Sequence, residues 1–363
     1  MIAQREQSYL PQVDGLRTLA VGGVLLSHYG AGGNWGHLGV RLFFVISGYL
    51  ITGILLGLRE EVAIGRRTFW SALCVFYIRR FLRIFPLYYA VLCVSLLRPL
   101  PLRLAPWYFL YGSNILFARN GSWGPLAHFW SLAVEEQFYV AWPLLTLLIP
   151  RRALGYCLGV MVAGASAWRF VAVLSGLNAM YPDILLPACL DSLALGALLA
   201  HMEEATSKPQ VVRRTLWIAL AAGATLIGAA SLLPHCAACR IAIFDLGYSL
   251  AFVWLIFRAR LGSLDLAGRL LQSVAIVYVG RISYGVYVFH GFGWNLASHL
   301  ASGLKGVALI GVRALLAVII TIALASLSWR FYEGPLNGLK RHFAYRTRSE
   351  GSVTREALIG TGG

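Results

Sequence analysis

Charge is scarce in this chain, and negative charge scarcer still: 13% of 363 residues are charged, with 15 Asp and Glu against 31 Lys and Arg. Soluble domains carry about a quarter charged residues. The shortage, set beside 58% hydrophobic residues, excludes an ordinary soluble fold. No interior stretch is long and polar enough for a soluble domain, no polar or Ser/Gly-rich linker marks a boundary, and no internal repeat is present. The polar N-terminus lacks a short apolar segment ending at a small-residue cleavage site, so no removable signal peptide is expected. Glycines follow no phosphate-loop pattern, and no ligand group has metal-site spacing, so no metal is expected. Four of the six cysteines lie in apolar runs as packing residues; Cys236 and Cys239, in HCAAC, suit either a disulfide or a metal.

What is present is one apolar run after another. A crossing helix needs roughly 20 apolar residues. Candidates lie near 16–33, 38–58, 84–98, 129–149, 153–174, 183–201, 214–233, 241–257, 274–299 and 304–332. A further stretch, 104–117, is apolar but short and aromatic. A net charge of +16 would suggest nucleic acid in a soluble protein, but here Lys and Arg gather in the breaks between runs, as cytoplasmic loops do. No nucleic-acid partner is expected. Arg59 to Arg83, Arg151 and Arg152, Arg213 and Arg214, Arg258 and Arg260, and the tail with Lys340, Arg341, Arg346 and Arg348 all favour the cytoplasm. They agree if 104–117 does not cross. The expected fold is therefore an all-α polytopic membrane bundle of about ten transmembrane helices, both termini cytoplasmic. Residues 10–333 form its membrane domain and 334–363 a short basic tail.

Ionisable groups inside spans are costly and by default mark function. In the first span, Arg17 and His28 are eleven residues apart, 20° beyond three helical turns, so they share a face about 16 Å apart along the axis. They suit a tunnel with Arg17 at the cytoplasmic mouth and His28 well inside; a buried imidazole bonded to a neighbouring helix is the alternative. The run HFWSLAVEEQFYVAWP brings Ser131, Glu135, Glu136 and Gln137. Adjacent carboxylates point about 100° apart, so only one aims squarely at the bundle centre, for catalysis or to hold an Arg of another helix. Arg79, Arg80 and Arg83 fall within one turn. They suit a positive-inside anchor, or the phosphates of a donor such as coenzyme A. Asp191 and His290 are further buried candidates, whereas Arg169, His299, Arg313 and Arg330 are expected to snorkel from span ends. Small residues in SLALGALLA suit close helix packing. The outer stretches 30–37 and 118–130 bring Trp35, His37, Trp123, His128 and Trp130, which suit sugar rings and membrane interfaces alike.

From VDGLRTLAV to SWRFYEGPL, with GHLGVRLFFVISGYLIT, RRFLRIFPLYY, FWSLAVEEQFYVAWP, LDSLALGALLA and GRISYGVYVFH between them in order, the chain resembles the acyltransferase 3 family of integral membrane acyltransferases. That family includes O-antigen and exopolysaccharide O-acetyltransferases and macrolide acyltransferases. The resemblance implies a multi-pass protein of the bacterial cytoplasmic membrane. Its acyl group, acetyl first, would come from cytoplasmic acyl-CoA and go to a hydroxyl of a polysaccharide, lipopolysaccharide or lipid-linked precursor of the cell envelope. The family's Arg and His separated by ten residues match Arg17 and His28, the His being catalytic. Its RxxR pair, associated with the donor, matches Arg80 and Arg83, with Arg79 adjacent. Its acidic motif falls on Glu135 and Glu136, and its SGY element on Ser47, Gly48 and Tyr49. Tyr49, Ser47, Asp191, His290 and Trp130 are expected on the substrate side. Two departures are visible: Cys189 stands where many members carry an Arg two residues before the Asp191 equivalent, and the tail after Glu333 is too short for the soluble domain that many relatives append. Transfer is then expected to be completed by the membrane domain or by a separate protein.

The implied mechanism has phosphates on Arg80, Arg83 and Arg17, and His28 as general base or as an acyl-His relay. One of Glu135 and Glu136 would orient the imidazole. A proton-coupled transporter is the rival class, a macrolide-like cytoplasmic acceptor the rival substrate, and a catalytically silent export partner a third reading. The acceptor, the acyl length and the oligomeric state are not legible.

Overall fold

A computed structural model of the chain describes residues 10–30, 32–97, 100–206, 208–233, 236–261, 266–302 and 307–345. Among them there is no strand. The long helices are α1 (Pro11–His28), α2 (Trp35–Ala63), α3 (Phe69–Ser95), α4 (Phe129–Leu148), α5 (Arg151–Leu174), α6 (Leu186–Ala205), α7 (Pro209–Ser231), α8 (Ala237–Arg260), α9 (Val274–Arg281), α10 (Ser283–Leu300) and α11 (Val307–Ser328). The part of the tail beyond 345, with Arg346 and Arg348, lies outside the described residues.

Six of the described helices are long and apolar enough to cross a membrane: α2, α5, the run Tyr181–Ala205 that includes α6, α7, α8, and the run Ile310–Phe343 that continues α11. Of the ten expected crossings, α1, α3, α4 and the α9–α10 pair are not among these six. Each of those carries the polar residues that the sequence singled out: Asp14, Arg17 and His28; Arg79, Arg80 and Arg83; Glu135, Glu136 and Gln137; His290 and His299. The stretch 274–299 is also two helices, broken at Ile282.

The region 104–117 folds as two short helices, Ala105–Phe109 and Ser113–Asn120, joined through Tyr111 at positive φ. Eight residues rise only about 12 Å, well short of a hydrocarbon core of about 30 Å. Neither helix crosses. Conversely, α3 begins at Phe69, so FYIRRFLR is helix rather than loop and runs on through Pro86. Proline breaks one intrahelical hydrogen bond, and nearby carbonyls are met from outside: Tyr284 donates to Ile84 O at 2.8 Å and Tyr332 to Pro86 O at 3.1 Å.

The small residues of two motifs explain the tightest crossing. A Cβ on Gly48 would lie 1.9 Å from the Leu193 carbonyl oxygen, and one on Gly196 2.0 Å from that of Val45. The glycine of SGY and the glycine of LALG thus let α2 and α6 touch backbone to backbone, as small residues do in membrane helices. Gly48→Val should push the helices apart and cost about 1–3 kcal/mol, the range for overpacking. A thermal unfolding midpoint equal to that of the parent protein would refute this. α1 is held by Thr18, whose hydroxyl donates to Ile276 O on α9 at 2.5 Å. This contact sets the position of Arg17 one residue earlier.

Candidate active site

Five helices line one open pocket. Its wall holds Arg17 from α1, Ser47 from α2, Arg80 and Arg83 from α3, Ser131, Glu135, Glu136 and Tyr139 from α4, and Tyr284 and Tyr287 from α10. Six of the residues singled out in the first, third and fourth spans therefore meet, together with the serine of SGY.

The cations dominate one end. Arg17 pairs with Asp14 at 3.0 Å. Arg80 and Arg83 have no hydrogen-bonded or ion-pair partner among the described residues; Arg80 lies 5.9 Å from each of the Phe76 and Tyr139 ring centres. Guanidinium groups that share a hollow without a carboxylate at ion-pair distance repel one another, and a multivalent anion relieves them. Arg79 does not join them. It donates to Lys340 O and Phe343 O, both at 2.9 Å, and stands 4.2 Å over the Tyr345 ring. Spacing put three arginines within one turn, but Arg79 points to the C-terminal segment and anchors it.

Both glutamates line the pocket, Glu136 buried and Glu135 partly so. The hollow wraps far enough around α4 to meet side chains 100° apart. Glu135 accepts from Ser47 Oγ at 2.8 Å, while Glu136 Oε1 is buried with no partner. Neither orients His28. That ring donates from Nδ1 to the Val24 carbonyl at 2.9 Å, which in the neutral imidazole leaves the lone pair on Nε2. The tautomer follows from this bond.

His28 is the last residue of α1 and is exposed, not deep in a tunnel. Its rise above Arg17 carries it past the far end of the pocket. A polar layer connects the two. Ser131 Oγ donates to Tyr287 Oη at 2.5 Å, and Tyr287 donates to the His128 carbonyl at 2.8 Å. The His128 and His290 rings are 4.5 Å apart, and the His290 and His28 rings 4.9 Å. His290 is buried in this row, as its motif suggested, with Nδ1 2.6 Å from Tyr287 O.

Three residues expected on the substrate side lie elsewhere. Tyr49 donates to Glu203 at 3.1 Å, outside the pocket. Trp130 is buried, in a T-shaped contact with Phe44 at 6.1 Å, so its face is not offered to a sugar. Asp191 sits fully buried between Arg169 at 2.7 Å and Arg41 at 3.6 Å. These belong to a network that sequence reasoning missed: Arg41 also meets Asp245 at 2.6 Å, and His37 meets Asp245 at 2.6 Å and Asp183 at 3.3 Å. Asp183, Asp191 and Asp245 oppose Arg41, Arg169 and His37. Both ring nitrogens of His37 face carboxylates, as in a ring carrying both protons. Although His37, Asp183 and Asp245 bring ligand atoms within 4.8 Å, the guanidinium on Asp245 makes this an ion-pair network. Arg169 does not snorkel, and with Arg41 it supplies the positive charge that Cys189 does not. At the start of α8, Cys236 and Cys239 form a disulfide.

Two groups near the arginines were also missed. The segment Trp329–Glu333 is a π-helix, a form often found at functional sites. It buries Glu333, which accepts from Ser328 at 2.8 Å and interacts electrostatically with Arg83. Lys340, hydrogen-bonded to Asn337, interacts with Arg17, Arg79, Arg80 and Arg83. The motif SWRFYEGPL contained Glu333, but an α-helical period cannot place a residue that a π turn has shifted.

Residues 10–331 match the family described as acyltransferase domain. The peptidoglycan O-acetyltransferase OatA of Listeria monocytogenes is 27% identical across 93% of this chain, which corresponds to 57% of its own length. The O-acetyltransferase OatA of Staphylococcus aureus is 26% identical across 97% of the chain and 61% of its own length. The chain thus spans less than two thirds of these relatives. No solved structure matches.

Proposed function

The chain belongs to the acyltransferase-domain family, and on that premise we propose that it is a membrane O-acyltransferase that takes an acyl group from acyl-CoA on the cytoplasmic side. The group goes to a hydroxyl of a cell-envelope carbohydrate. The observation that carries the donor is the arginine pocket: Arg80 and Arg83, with no ion-pair partner among the described residues, and Arg17 beside them. The 3′-phosphate and diphosphate of coenzyme A suit such forks. The pantetheine arm then runs past Ser47 and Glu135 towards the Ser131–Tyr287 layer. The acetyl group is the first choice of acyl, since the named relatives are O-acetyltransferases. The Listeria relative's name puts peptidoglycan ahead of lipopolysaccharide as acceptor.

At the far end, the bare Nε2 of His28 removes the acceptor's proton as its oxygen attacks the thioester carbonyl; the C–S bond breaks and coenzyme A leaves as thiolate, then takes up a proton. The exposure of His28 suits an acceptor arriving from the outer face. In the relay version Nε2 itself attacks and passes the acyl group on. The reading takes ten crossings with both termini cytoplasmic. The short helices within 105–120 and the basic span ends support that count. The four polar runs cross with their polar faces on the pocket and with exposed apolar side chains such as Leu19, Phe81, Val140 and Leu296 towards lipid.

The test is binding of labelled acetyl-CoA to purified protein. Arg80→Gln and Arg83→Gln are each expected to weaken binding roughly 10–100-fold, the worth of a charged hydrogen bond at about 1.5–3 kcal/mol. Wild-type protein that binds no acetyl-CoA would sink the donor assignment. A transporter of another solute predicts that outcome.

A further inference from the structure

The most apolar of the six spans, the Ile310–Phe343 run with a mean hydropathy of 2.4, carries an arginine to which the proposed reaction gives no role. Arg313 is the only charged residue of α11. Its Nε is buried without a partner, and no hydrogen bond or ion pair reaches its guanidinium among the described residues. We propose that Arg313 binds the phosphate of a lipid-linked carbohydrate and so presents the sugar of that acceptor to His28. The proposal rests on the acyl-transfer reading and names its acceptor class.

A charge inside a span is costly and by default marks function, whereas an arginine at a span end can snorkel to bulk headgroups. Arg313 is turned to the site instead. Its guanidinium carbon lies 5.5 Å from the centre of the Trp294 ring, which stacks on Tyr29 with centres 5.5 Å apart. Tyr29 follows His28 in the chain and donates to His290 O at 2.8 Å, so the aromatic stack joins Arg313 to the histidine row. The turn after His28 also meets α11: a Cβ on Gly30 would lie 3.1 Å from Ile310 Cγ2. The opposite flank faces lipid. Only 17% of the apolar window of this span is buried within the protein, and Ile310, Leu315 and Ile319 are each more than half exposed. From lipid to base the order is apolar surface, guanidinium, imidazole. A molecule that matches has an apolar chain, then an anion, then a hydroxyl. Phosphate suits the guanidinium fork, and a lipid-linked sugar carries the three parts in that order. A wall polymer without a lipid end would leave both the arginine and its apolar flank unused.

The experiment uses the full chain in phosphatidylcholine nanodiscs. Native mass spectrometry reads the retention of a polyprenyl diphosphate, of the matching polyprenol and of phosphatidylglycerol. Wild-type protein should retain the diphosphate over the other two. Arg313→Gln should hold it roughly 10–100-fold more weakly, the effect of losing a charge-assisted hydrogen bond, and Arg313→Lys should recover part of the loss. Acetyl-CoA binding should not change, because Arg313 does not line the arginine pocket. If Arg313→Gln does not fold, a photoreactive polyprenyl diphosphate should label α10 and α11 of the wild-type chain, and labelling elsewhere counts against the site. Equal retention of diphosphate and polyprenol, or unchanged retention by Arg313→Gln, overturns the proposal. Equal retention of phosphatidylglycerol also overturns it and assigns the arginine to ordinary headgroups. Arg313-dependent retention in a protein that binds no acetyl-CoA would sink the donor assignment and leave this site standing.

Discussion

His28→Ala is expected to lower acetyl transfer by about 10²–10⁴-fold while leaving acetyl-CoA binding unchanged, the magnitude typical of losing a general base. The split follows from position. The arginine pocket and the histidine are separated by the Ser131–Tyr287 layer, so removing the imidazole does not touch the groups proposed for the phosphates. Transfer and binding are measured on the same preparation with radiolabelled acetyl-CoA. Full retained transfer would remove His28 from the chemistry, and a parallel loss of binding would point to a structural role. Trapping on the protein an acetyl group that His28→Ala does not form would favour the relay over the base. Tyr287→Phe probes the connection between the two ends: it deletes both the bond to the His128 carbonyl and the one from Ser131. It should reduce transfer more than donor binding, and an unchanged transfer rate would mean that the layer is only packing.

Asp191→Leu should destabilise the protein by about 3–5 kcal/mol, the cost of leaving buried charges without their partner. Arg169 and Arg41, both fully buried, would share one carboxylate fewer, and no exposed position is open to either. The network ties α2, α5, α6 and α8 together, so the loss should appear as a lower unfolding midpoint and lower yield. It should appear equally in protein without acetyl-CoA. Because Asp191 does not line the pocket, any surviving folded protein should bind acetyl-CoA normally. A stable variant that fails to bind the donor would reverse this assignment and return Asp191 to the substrate.

Much of the site was readable along the chain because membrane helices make polar residues conspicuous. Arg17, Arg80, Arg83, Glu135 and Glu136 stood out against apolar neighbours, and all five line one pocket. The glycines of SGY and LALG were readable as packing residues, and they do bring α2 and α6 into contact. Helical spacing could not tell which way a side chain turns at a shared face. Arg79 and Arg80 are neighbours, yet one caps carbonyls of the C-terminal segment and the other faces the pocket. The same limit applies to Asp191: its depth was legible, but its partners Arg169 and Arg41 are 22 and 150 positions away.

The scarcity of charge was enough to establish a helical membrane protein, because apolar runs of that length leave the backbone no partner in lipid except itself. Counting those runs gave more than are plainly apolar, since α1, α3, α4 and α10 are interrupted by polar residues or are too short. Which charges neutralise one another, and which are left to meet a ligand, depended on the packing of helices distant in sequence. Asp183, Asp191 and Asp245 are matched within the fold, and Arg80 and Arg83 are not. Electrostatic energy in a low-dielectric interior is set by separations of a few ångströms, and only the folded chain has those separations.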